Sequence, residues 1–109
     1  MTTGRRWTVA DRSGREIYLT QERWEHIIEP HNHPEMALYE EPLKETLRTG
    51  VRQQDSVNPL KYRYVKAFDN LVTDNTHLVA IVLFRFSTDE TGAPRSNNYI
   101  TTAYQKVMR

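Results

Sequence analysis

His77-Leu78-Val79-Ala80-Ile81-Val82-Leu83-Phe84-Arg85-Phe86 is the segment that most restricts how this chain can fold. It is apolar at odd and even positions alike and rich in β-branched and aromatic side chains. A strand with that pattern has two sides to bury, so it belongs in the middle of a sheet. Its apolar part, Leu78 to Phe84, is too short to cross a bilayer. Other strands must flank it. Leu60-Lys61-Tyr62-Arg63-Tyr64-Val65-Lys66-Ala67-Phe68 reads as one, Asn98 to Lys106 as another, and Val51 to Val57 as a weaker one. Ser87 to Ser96, with Gly92 and Pro94, reads as a loop between two of them.

The first half of the chain has a different period. Trp7-Thr8-Val9-Ala10 and Arg15-Glu16-Ile17-Tyr18-Leu19 flank the turn-forming Asp11-Arg12-Ser13-Gly14, which predicts a β-hairpin. Thr20 is a natural N-cap for a helix from about Gln21 to Glu29, whose apolar face carries Trp24, Ile27 and Ile28. Pro30 ends it. A second helical stretch opens at Pro34 and carries Met36, Tyr39, Leu43 and Leu47 to Arg48. Pro42 must kink or restart that stretch, and Gly50 is its natural C-cap. The expected architecture is α+β. An N-terminal hairpin and two or three helices would pack on one face of a four-stranded antiparallel sheet. Function would then lie on the face left open.

At 109 residues the chain reads as a single domain, residues 1–109. Its formal net charge is only +1, so any contact with nucleic acid must come from local clustering. There is no cysteine, which excludes disulfides, thiolate metal sites and a thiol nucleophile. No apolar stretch follows Met1-Thr2-Thr3-Gly4-Arg5-Arg6, so a cytoplasmic protein without a membrane anchor is expected. There is no Gly-rich phosphate loop, no nucleophile elbow and no paired-carboxylate signature for two metals.

Three of the four histidines fall within eight positions, at His26, His31 and His33. Imidazole is the side chain best suited to moving protons near neutral pH. On a helical wheel His26 lies beside Glu22 and Arg23 and away from the apolar face, so it is a candidate general acid or base. His31 and His33 could instead join His26 around a metal ion, but no full ligand set is evident and no cofactor is expected. The string His31-Asn32-His33 is not the motif of the HNH nucleases, whose residues are dispersed over a ββα fold.

On the strands, Lys61, Arg63 and Val65 share one face and Tyr62, Tyr64 and Lys66 the other. Arg85 ends the central strand. Plain alternation puts Thr102 and Tyr104 on a face with Ile100. If the polar members of these sets meet, guanidiniums, a hydroxyl and a phenol converge on a patch that fits phosphate.

Taken in order, five segments resemble the phage-barnase-EndoU-colicin-RelE-like (BECR-type) nucleases. They are Leu19-Thr20-Gln21-Glu22-Arg23-Trp24-Glu25-His26-Ile27, His33-Pro34-Glu35-Met36, Leu43-Lys44-Glu45-Thr46-Leu47, Tyr62-Arg63-Tyr64 and Ile100-Thr101-Thr102-Ala103-Tyr104. The resemblance implies helices ahead of an antiparallel sheet and metal-independent RNA cleavage, often by a toxin paired with an antitoxin protein or by a phage-associated effector. It points to His26 with Arg23, to Arg63 and Tyr64, and to Thr102 and Tyr104. Arg85 is added from strand geometry. In that scheme His26 is the base or acid and Tyr104 its partner. Arg63 and Arg85 clamp phosphate, Thr102 donates to it, and Tyr64 stacks on an unpaired base. Arg23, Lys61 and His33 complete the RNA-binding set. The alternative is a module on the same fold that binds protein or RNA without turnover. An exposed edge strand would also allow a homodimer.

Overall fold

The computed structural model describes residues 4–72 and 74–108. The strands are β1 (Arg5–Ala10), β2 (Glu16–Thr20), β3 (Val51–Gln54), β4 (Lys61–Ala67), β5 (His77–Thr88) and β6 (Pro94–Lys106). The α-helices are α1 (Gln21–Ile27) and α2 (Glu40–Thr49), with a 3₁₀ turn over Pro34–Leu38 between them. All six strands form one sheet in the order β1-β2-β6-β5-β4-β3.

This corrects the expected four-stranded antiparallel sheet. The N-terminal hairpin is part of the sheet, because β2 pairs with β6 at Ile17–Asn98 and Tyr18–Tyr99, and that pairing is parallel. The sheet is therefore mixed. The helical part is also smaller than expected. The second stretch splits after Leu38, and only its later part is α-helical. Pro42 neither kinks nor restarts α2. It sits in the first turn, where a missing N–H leaves no hydrogen bond unmade.

Half of the segment Ser87 to Ser96 is strand. β5 and β6 pair as far as Thr88–Pro94, around a short turn. Asp89 organises that turn, its Oδ1 accepting from the N–H groups of Thr91 (2.9 Å) and Ala93 (3.0 Å) and from the Thr91 hydroxyl (2.7 Å). Gly92 takes the left-handed conformation there, with φ of 87°.

Side-chain alternation divides the sheet into two faces. Toward the helices point Ile17, Leu19, Tyr64, Leu78, Ala80, Val82, Ile100 and Ala103. They close a core with Trp24, Ile27, Met36, Leu43 and Leu47. The helices are short and bury their apolar faces here, so tertiary packing rather than propensity holds them. Thr20 caps α1 by accepting the Arg23 N–H at 3.0 Å, a contact worth about 1 kcal/mol. Arg6, Trp7 and Glu40 tie β1 to α2. The Glu40 carboxylate takes the Trp7 indole N–H at 2.8 Å and two contacts from the Arg6 guanidinium.

Along β6 the alternation is interrupted. Val82 pairs with Ile100 and the next residue back, Ile81, pairs with Thr102, so Thr101 is a bulge. Its hydroxyl donates to the Ile81 carbonyl at 3.3 Å. The bulge changes the phase of the strand. Ile100 and Ala103 face the helices, while Thr102 and Tyr104, the partners of Ile81 and Val79, face the open side. The expectation that Ile100 shares a face with Thr102 and Tyr104 is thereby corrected.

Gly50 ends α2 and its N–H donates to the Thr46 carbonyl at 2.9 Å. A Cβ on this residue would press on the Thr46 carbonyl oxygen and lie 2.9 Å from the Val65 carbonyl oxygen. Glycine is needed here for space: the backbones of α2 and β4 pass too closely for any side chain between them.

Candidate active site on the open face of the sheet

The open face is assembled by cross-strand register. Gln53, Arg63, Ile81 and Thr102 form one row across β3, β4, β5 and β6, and Lys61, Leu83 and Tyr99 form the next. Val79 and Tyr104 pair on the other side of the first row. A hollow of about 340 Å³ opens over this region, lined by Lys61, Arg63, Ile81 and Tyr104 together with Gln53 of β3 and Asp55 and Ser56 of the β3–β4 turn.

Two of the polar members, Arg63 and Asp55, are held in place. The Arg63 guanidinium donates to the Gln53 side-chain carbonyl at 2.7 Å, which aims it along the face. Asp55 accepts the backbone N–H groups of Asn58 at 2.8 Å and Val57 at 3.0 Å, and those bonds hold its carboxyl below the ordinary range. Two cations and one carboxylate thus surround a concavity roughly large enough for a phosphodiester and its sugar.

His33 approaches Tyr104, one wall of this hollow, from the helical layer. β2 leaves the sheet after Thr20, so beyond Tyr99 the edge of β6 is open on that side. The loop after α1 lies along that gap. The His33 N–H donates to the Ile27 carbonyl at 2.9 Å, and its ring packs on the Tyr104 ring with centroids 5.7 Å apart and planes at 32°. The imidazole keeps about a third of its surface exposed, and its Nδ1 is 3.8 Å from the Glu35 carboxylate.

Of the residues singled out in the sequence, the fold therefore gathers Lys61, Arg63, Thr102, Tyr104 and His33. The others lie elsewhere. His26 and Arg23 line a separate shallow hollow with Glu22, and no open-face residue borders it. The His26 ring is half-exposed and stands 3.4 Å from both Glu29 and the Asn32 amide. It is placed on the outside of α1 because Trp24 and Ile27 occupy the inward positions. Arg85 is on the correct face but four positions along β5 from Ile81, about 13 Å away at the rise of a strand. It borders a different hollow with Gly14, Arg15 and Phe86.

Tyr64 is the clearest correction. It points toward the helices, is 1% exposed, and cannot stack on a base. Its hydroxyl donates to Asp11 Oδ2 at 2.7 Å. Asp11 also accepts the N–H groups of Ser13 and Arg15, each at 2.9 Å, and the Arg15 guanidinium at 3.0 Å. Burial alone would push the Asp11 carboxyl up. The hydrogen bonds outweigh it, and the carboxyl stays below its ordinary range. Burial, and then the bond to this carboxylate, pushes the Tyr64 phenol well up. The pair fastens the β1–β2 turn to β4.

The folded Asp11 binds its proton more weakly than the unfolded one, so its contribution is complete above about pH 4 and is lost as pH falls through the folded value. Asp11→Asn is expected to lower stability at pH 7 by about 1–3 kcal/mol. It should also flatten the loss on acidification below about pH 4. Urea midpoints of both proteins at pH 7 and pH 3 measure the two effects, and parallel acid losses would show that Asp11 does not contribute.

Among the described residues no group of three or more histidine, aspartate or glutamate side chains is placed to hold a metal ion. His26 and His31 each approach Glu29, whereas His33 approaches Glu35. No helix of the described residues is long and apolar enough to cross a membrane. Comparison with family models, with curated proteins and with solved structures finds no match for this chain.

Proposed function

We propose that this chain is a metal-independent endoribonuclease whose chemistry sits on the open face of the sheet around Tyr104. The observation that supports this most is the His33 ring lying on the Tyr104 ring beside a hollow that Lys61 and Arg63 also line. A phenol and two cations around one concavity, with a proton-transfer group packed against the phenol, are what transfer at phosphorus requires when cations rather than a metal hold the phosphoryl oxygens.

In this reading His33 removes the proton of a ribose 2′-hydroxyl. The 2′ oxygen attacks the adjacent phosphorus, and the bond from phosphorus to the 5′ oxygen breaks. Tyr104 gives its proton to the departing 5′ oxygen. The products are a 2′,3′-cyclic phosphate and a 5′-hydroxyl, and the proton on His33 returns to the neighbouring phenolate. Lys61 and Arg63 offset the extra negative charge on the phosphoryl oxygens, with Arg63 pre-aimed by Gln53. Thr102, next along the face, donates a hydrogen bond to the phosphate.

The test is direct. Purified protein incubated with total RNA in EDTA should shorten it and leave 2′,3′-cyclic phosphate ends. RNA that stays intact at stoichiometric protein while still being bound would replace this reading with that of a non-catalytic RNA-binding module.

A further inference from the structure

The open face does not stop at the hollow. Beyond the row of Lys61, Leu83 and Tyr99, it continues across β2 to Tyr18. The Tyr18 and Tyr99 rings are neighbours, with centroids 6.0 Å apart. The Arg5 guanidinium lies over the Tyr18 ring at 3.9 Å. The Tyr18 hydroxyl donates to the Asn97 side chain at 2.7 Å, which fixes the ring's tilt. Arg85, the cross-strand partner of Asn97, borders the same end of the face. This second cluster has no part in the chemistry proposed above.

Two neighbouring half-buried tyrosines on the open face, one of them covered by an arginine, are poorly explained by core packing, because the core is on the other face. Aromatic rings with adjacent cations are the usual means of holding unpaired bases. Spacing supports the assignment. Tyr104 pairs with Val79 and Tyr99 with Leu83, four positions apart on β5, or about 13 Å. That is about two nucleotides along an extended strand. The Arg5 guanidinium already covers one face of Tyr18. Tyr99 is therefore the ring offered to a base, with Arg5 and Arg85 beside the backbone.

We infer that Tyr99, backed by Tyr18 and Arg5, is a base-stacking subsite for single-stranded RNA, about two nucleotides along the face from Tyr104. The inference rests on the ribonuclease reading for the identity of the ligand. The face selects single strands because a paired base offers no free surface to stack.

Binding is tested without cleavage by using fluorescein-labelled 2′-O-methyl RNA, which lacks the attacking hydroxyl. Fluorescence anisotropy should show a hexanucleotide binding the parent protein at least about tenfold more tightly than a dinucleotide. Tyr99→Leu should remove most of that advantage. Tyr99→Phe should keep it, since stacking needs the ring and not the hydroxyl, and this variant controls for folding. A blunt duplex of the same length should bind more weakly than the single strand. The inference is overturned if Tyr99→Leu binds the hexanucleotide as the parent does, if the duplex binds as well as the single strand, or if no single strand is bound. Tyr99-dependent binding of the single strand by a protein that cleaves no RNA would sustain the subsite and reject the nuclease.

Discussion

His33→Ala is expected to slow RNA cleavage by about 10²–10⁴-fold, the range for loss of a positioned acid–base group. His26→Ala should change the rate by no more than a few-fold. The two histidines are seven residues apart, yet only His33 touches a residue of the hollow: its ring packs on Tyr104, whereas His26 borders Glu22 and Arg23 on the outer side of α1. The His26 ring is half-exposed and its loss should stay within about 0.5 kcal/mol, whereas His33, two-thirds buried against Tyr104, should cost about 1 kcal/mol, too little to unfold the protein. That separates a catalytic loss from unfolding. Initial rates on a defined oligoribonucleotide, with urea midpoints for both variants, give the comparison. The reverse pattern, with His26→Ala inactive and His33→Ala unimpaired, would move the chemistry off the sheet and onto α1.

Gly50→Ala is the substitution expected to damage the fold most. The added methyl would meet the Thr46 carbonyl oxygen at the end of α2 and lie 2.9 Å from the Val65 carbonyl oxygen on β4. Neither is a side chain that can rotate aside. Relief requires α2 to lift from the sheet or β4 to shift, and Leu47 and Tyr64, both buried in the core, would move with them. Overpacking usually costs about 1–3 kcal/mol, and a clash between two backbones belongs at or above the top of that range. A urea midpoint shift corresponding to about 3 kcal/mol or more is expected. Activity should fall too, because Gly50 leads into β3, whose Gln53 holds Arg63. A loss under about 1 kcal/mol would show that the α2–β3 junction yields easily.

The parts of the fold that could be read from the chain are those with local causes. β5 is apolar on both sides and occupies an interior position in the sheet. Asp11 to Gly14 is turn chemistry and makes a hairpin, and Thr20 caps a helix. The parts that could not be read depend on distant pairing. Two residue pairs join β2 to β6 in parallel, which leaves no periodic trace in either segment. The same pairing turns an isolated hairpin into the edge of a six-stranded sheet. Asp89 and Gly92 make a tight turn between long strands, yet the polar residues on either side look like a flexible loop.

The site divides in the same way. Lys61 and Arg63 could be placed together because ordinary alternation holds in β4. Tyr64 follows the same rule and belongs with the opposite face, so assigning it to stack on a base set its residue type above its parity. His26 matched a helix pattern that says nothing about which way the outer side of the helix looks. His33 becomes adjacent to Tyr104 only because β2 ends early and the loop fills the vacated edge. Tyr18 and Tyr99 are far apart in the chain and gave no local sign of being neighbours.

The extra residue at Thr101 also has a mechanical result. Bulged strands bend and twist more sharply than regular ones, and this one lies between Tyr99 and Tyr104. The two ends of the proposed RNA path would therefore be set at an angle. A limber chain can follow that curve and touch both ends at once, whereas a stiff double helix would ride over one end and lose the other.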